Sequence, residues 1–210
     1  IPSIGIFAVD AVWDRDGRKS DATYSFCTQT AGAKEPAYSK TYSVGGEAPI
    51  TKLDISWLGG SVDIQPDDTV DVITVVEQSE RELAENEKAT LRVDLNGSTA
   101  VLHIGFMKSS HFDGEKYLTV HVPASMVESG QIEEIDVETT SALVSAACGA
   151  SQEIDVSTMS GGVCIGADCE ELSVETTSGY VNISGGYWRE ADISTVSGAV
   201  DFAGTAQDIS

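Results

Sequence analysis

The sequence predicts an all-β chain folded as a single-stranded β-solenoid, a right-handed β-helix with rungs of 18–19 residues. Three observations carry this expectation. The segments 135–141, 154–160, 172–178 and 191–197 read IDVETTS, IDVSTMS, LSVETTS and ADISTVS, one pattern restarting after 19, 18 and 19 residues. Each is followed by a second apolar pair, Val144/Ala146, Val163/Ile165, Val181/Ile183 and Val200/Phe202, so apolar residues occupy every second position, as in strands with one buried face. Between the two strands of a unit lies a corner, Ser160-Gly161, Ser178-Gly179 or Ser197-Gly198, with Ser141-Ala142 as the variant.

One such unit cannot bury its apolar row alone. Stacking places Ile135, Ile154, Leu172 and Ala191 in one interior file and Val137, Val156, Val174 and Ile193 in the next. Each buried Val or Ile stabilises by roughly 1.5–3 kcal/mol, so these files supply the main folding energy. At the corners, glycine is expected to supply φ > 0 and serine to satisfy the backbone of the turn. A nucleophilic role for the serines is disfavoured, because no histidine follows position 130.

The remaining elements follow in chain order. Residues 1–39 lack the repeat and form an N-terminal extension or cap, in which residues 4–13 suit a strand. Residues 40–210 form the solenoid domain, irregular at 40–130 and regular at 131–210. Residues 53–64 overlay on 154–165 position for position, which makes them a first rung. Strands are expected at 70–76, 90–95, 101–104 and 117–122, with a hairpin turn at Asn96-Gly97 and a polar loop or helical turn at 79–88. Residues 207–210 resemble the opening of a further rung, so the natural chain is expected to continue there or to end in a degenerate cap.

The run Leu53-Asp-Ile-Ser, the following Gly-Gly-Ser-Val-Asp-Ile, the strand Leu118-Thr-Val-His-Val-Pro123 and the repeated Thr-x-Ser-Gly-x-Val-x-Ile together resemble the putative-adhesin family of bacterial β-strand-repeat surface proteins. The resemblance covers residues 40–210. It implies a β-solenoid in an extracytoplasmic, cell-surface or secreted setting, and it brings no catalytic residues to carry over.

Composition narrows the partners. Thirty-four acidic residues against twelve basic ones give a net charge of −22, and between 131 and 210 fourteen Asp or Glu face Arg189 alone. Such a field repels nucleic acid and anionic membrane surfaces. The sequence has no membrane-spanning run, so a tether would need segments outside this chain, and Ile1 leaves room for a removed export segment. Four cysteines make no disulfide framework, although Cys148 and Cys169, in loops closing consecutive coils, lie where a bridge is conceivable; Cys164 should point outward. No cofactor or zinc-type cluster is expected.

The candidate sites lie on outward positions. Asp54, Asp136, Asp155 and Asp192 share one place in their rungs, and Glu138 and Glu175 the next, alternating with Ser157 and Ser194. Carboxylates at rung spacing suit Ca²⁺, but isolated ladder acids rarely complete its coordination, so a solvated acidic face is the preferred reading. His103 and His121 should both point outward, on one face, with Asp94 or Asp113 nearby. Tyr180, Tyr187 and Trp188 could stack on a sugar or protein partner, or Trp188 could cover the end of the stack. The function expected is a non-enzymatic surface module or scaffold presenting an extended acidic face to a protein or glycan. An envelope-stress or signalling accessory is the alternative, a polysaccharide-acting β-helix enzyme the second, and a self-polymerising solenoid the third.

Overall fold

A computed structural model of the chain describes residues 35–46, 48–107 and 112–210. The strand expected at 4–13, Cys27 and His111 lie outside them. Fourteen strands form among the described residues: β1 (Tyr38–Val44), β2 (Ile50–Trp57), β3 (Gly60–Asp67), β4 (Ile73–Ser79), β5 (Thr90–Asn96), β6 (Thr99–Gly105), β7 (Lys116–Pro123), β8 (Glu134–Thr139), β9 (Leu143–Ala146), β10 (Glu153–Thr158), β11 (Val163–Ile165), β12 (Glu171–Thr176), β13 (Val181–Thr195) and β14 (Val200–Ile209). One short helix, α1 (Ala124–Glu128), follows β7.

All fourteen strands join one sheet, ordered β1-β4-β7-β3-β9-β11-β13-β12-β10-β8-β2-β6-β5, with β14 alongside β13. The path is two stacks of mainly parallel strands joined through β13, whose start pairs with β11 and whose end pairs with β12. The result is a β-solenoid-like, all-β fold. Register follows the repeat: Ile154 lies opposite Ile135 on one side and Leu172 on the other, and Leu172 opposite Ala191. On the second stack Val163 lies between Val144 and Val181. These side chains are essentially inaccessible and belong to one continuous core.

The rung β2–β3 is where residues 53–64 predict a rung, but its neighbours are not sequential. Leu53 pairs with Ile135 of β8 on one side and Leu102 of β6 on the other. Val62 likewise sits between Val144 and Leu118. The later rung β6–β7 therefore lies beneath the earlier one. The chain then passes β2–β3 through α1 and residues 129–133, where the Glu133 amide donates to Thr51 O (2.7 Å) and Gln131 Nε2 to Ile50 O (3.1 Å). Antiparallel β5 and β4 flank this rung, and the Asn96-Gly97 turn closes β5 onto β6, with Gly97 at φ 66°.

The corners differ from expectation in one respect. Gly161, Gly179 and Gly198 are not among the positive-φ glycines. They are glycine because a Cβ at each would collide with the carbonyl of Ala142, Gly161 or Gly179, one layer away. Thr158, Thr176 and Thr195 hydroxyls accept from the amides of Gly161, Gly179 and Gly198 at 2.8–3.0 Å. The corner serines bind across layers: Ser141, Ser160, Ser178 and Ser197 donate to the carbonyls of Leu58, Thr140, Met159 and Thr177 at 3.2–3.3 Å. The serine ladder is thus a backbone-satisfying device.

Candidate functional site

The parallel stack β6-β2-β8-β10-β12-β13 turns one face inward and one outward. Pairing aligns the outward residues into files. One file runs His103, Asp54, Asp136, Asp155, Ser173, Asp192, and the next runs Gly105, Ser56, Glu138, Ser157, Glu175, Ser194. The corner just beyond exposes Leu58, Thr140, Met159, Thr177 and Val196 in the same layers. An open groove of about 630 Å³ runs along this edge, lined by Leu58, Met107, Glu138, Thr140, Met159 and Glu175 among others.

The aspartate file carries electrostatic stress. Burial pushes the Asp136 carboxyl above its ordinary value; Lys52 counters this, while Asp155, Asp54 and Glu134 add to it. Lys52 forms an ion pair with Glu134 and lies 3.6 Å from Asp136. Of the calcium candidates, Asp136 and Asp155 adjoin, whereas Glu138 and Glu175 are separated by the Ser157 layer and Asp192 faces Ser173. Among the described residues no group of three or more His, Cys, Asp or Glu is arranged to hold a metal ion.

The aromatic candidates divide. Tyr180 and Tyr187 are exposed, but Trp188 is fully buried, so it offers no stacking surface. Its indole donates to Ala167 O (3.1 Å) and its ring tilts against Phe202, with centroids 5.5 Å apart. Gly186 and Gly204 leave room for it, since a Cβ at either would strike the indole. The signal was available: Ile132, Cys169 and Trp188 each precede their repeat by three residues, and all three are buried.

The histidines are not neighbours. His103 on β6 contacts Asp54 (2.6 Å) and Asp94 (3.5 Å), while His121 on β7, in the other stack, contacts Asp67 (3.0 Å). Nor are Cys148 and Cys169 bridged: both are free, buried thiols. Burial pushes each up to about 12, far from reactive thiolate character. Cys164, half-buried on β11, lies opposite Ser145 and Asn182 of the adjoining strands.

A buried ion pair joins β4 to β7. Lys116 and Glu77 are both inaccessible, with Nζ 2.6 Å from Oε1. The ammonium also donates to Glu87 O (2.8 Å) and Phe106 O, and lies 4.2 Å from the Phe106 ring and 4.9 Å from that of Trp57. Glu77 accepts in addition from the Ala89 amide (2.8 Å), Tyr42 Oη (3.3 Å) and Tyr38 Oη (3.4 Å). Every donor of the ammonium is used, which is what a buried charge requires. Strand parity pointed to both residues: Lys116 continues the inward series of Leu118 and Val120, and Glu77 that of Ile73 and Val75.

A parallel-stacked repeat fold with carboxylates in file along its outer face defines a β-solenoid-like repeat protein. The chain belongs to the Toastrack DUF4097 family, whose model matches residues 50–209. No curated protein matches it. Among solved structures it is similar to a putative adhesin from Parabacteroides distasonis ATCC 8503, with 17% identity, 82% of this chain and 76% of that chain covered, and a TM-score of 0.47. A putative cell adhesion protein from Clostridium sporogenes ATCC 15579 shares 11% identity over 83% of this chain and 99% of its own, at a TM-score of 0.47. A putative adhesin from Parabacteroides merdae ATCC 43184 shares 14% identity over 85% of this chain and 77% of its own, also at 0.47.

Proposed function

We propose that the solenoid segment, residues 40–210, is a non-enzymatic extracytoplasmic surface module that holds a partner along its outer acidic files without transforming it. The observation that carries this reading is the in-register alignment of Asp54, Asp136 and Asp155 beside Glu138 and Glu175, which turns separate sequence repeats into one extended surface. A surface of this kind binds by many weak contacts, and its field favours cationic partners and repels nucleic acid and anionic lipid. No helix among the described residues is long and apolar enough to cross a membrane. Tyr180 and Tyr187 supply exposed rings.

The test is an array of immobilised proteins and of neutral, acidic and cationic glycans. The expected result is retention of a partner that is recovered with unchanged mass and is released by salt. New reducing or unsaturated ends, or a cleaved protein ligand, would overturn the reading.

A further inference from the structure

The groove at the corner has a repeat of its own. Layer by layer, the outward residue and the corner residue two positions later are Ser56 with Leu58, Glu138 with Thr140, Ser157 with Met159, Glu175 with Thr177, and Ser194 with Val196. Carboxylates therefore stand in alternate layers, and exposed apolar side chains stand in the layers between. Leu58, Met159 and Val196 are 44%, 61% and 82% exposed, so packing of the core does not explain them. Avoidance of like charge does not explain the alternation either, because Asp54, Asp136 and Asp155 occupy consecutive layers one file away.

Adjacent strands are about 4.8 Å apart, so the carboxylates of Glu138 and Glu175 repeat at about 9.6 Å, and Leu58 and Met159 at the same interval half a period out of phase. An extended β-strand presents the same face every two residues, about 6.7 Å, and falls out of step. A polyproline II segment has three residues per turn and about 3.1 Å per residue, so one face recurs every 9.3 Å or so. Its backbone is fully solvated and needs no pairing partner, which suits a groove walled by side chains. From β2 to β12, over which the alternation holds, the groove crosses three strand spacings, about 14 Å, enough for about four or five residues in that conformation.

We propose that this groove binds an extended polyproline II peptide carrying a lysine or arginine at every third position, with the cations on Glu138 and Glu175 and proline or aliphatic residues against Leu58 and Met159. This deepens the surface-module reading and rests on it.

Fluorescence anisotropy at low salt with a labelled peptide of four Lys-Pro-Pro triplets tests it. The comparison is a peptide of the same residues with its lysines gathered at one end. The periodic peptide is expected to bind about tenfold tighter than the blocked one. The double variant Glu138→Gln/Glu175→Gln should weaken the periodic peptide by roughly five- to tenfold and erase the difference. Leu58→Ser/Met159→Ser, at exposed positions, should weaken it while circular dichroism stays unchanged. Equal affinity for both peptides would overturn the groove register and leave the acidic-surface reading standing. Binding of chitosan oligomers without either peptide would overturn the peptide class. Absence of all binding, while the array returns a partner, would overturn the groove alone.

Discussion

Lys116 shows how much one side chain can decide. Removing it leaves the carboxyl of Glu77 buried and facing Tyr38 and Tyr42 without its cation. Lys116→Met is expected to cost about 3–5 kcal/mol in urea denaturation, and Glu77→Gln/Lys116→Met to recover part of that loss. Recovery matters, because it separates an unpaired charge from lost packing. The residue was legible by parity, since a strand begun at 116 rather than 117 puts it inside. Its partner was not, because pairing β4 with β7 spans 39 residues and no local pattern encodes it. Trp188 was legible through its repeat-mates Ile132 and Cys169, whereas the free state of Cys148 and Cys169 depends on loop geometry that spacing does not set.

At the scale of the element, the corner is the most exacting part. The sequence marks the Ser-Gly pairs and the threonines two residues before them, and each proves to serve the turn. The cause of the glycine was hidden, because it lies in the neighbouring layer. Gly179→Ala would drive a methyl into the carbonyl of Gly161, and the stack is expected to lose about 1–3 kcal/mol, measured as a lowered urea midpoint with unchanged slope. At position 142 the chain already carries a buried alanine, so Ala142→Gly should be much the milder change. The interior files were read directly from Ile154, Leu172 and their equivalents. The order of the stack was not, because β2 finds both of its neighbours, β6 and β8, later in the chain.

For the whole molecule, the net charge of −22 makes stability a matter of pH. Burial first, and then neighbouring carboxylates for Asp136 and Glu153, push the carboxyls of Asp63, Asp136 and Glu153 upward. A group raised in this way binds its proton more tightly when folded, so its contribution is full below the unfolded pKa and is lost as pH rises through the folded one. Glu87 behaves oppositely: Arg81 and the Ala84 amide hold it at about 2, so its contribution persists until strong acid. The melting temperature is therefore expected to be higher at about pH 5 than at about pH 7.5 and to fall again in stronger acid, as measured by calorimetry. Millimolar Ca²⁺ at neutral pH should leave it unchanged if the aspartate file is a solvated face. The insertion of β2–β3 between β6–β7 and β8 has a last consequence, for biosynthesis. On the ribosome this first-made rung emerges with both hydrogen-bonding edges bare; β6 and β7 then cover one of them, and the other stays open until Glu134, 82 residues after Lys52, has been made. The later rungs pair with a predecessor already in place. The slow, aggregation-prone interval in the birth of this protein should thus fall early, before its most regular part exists.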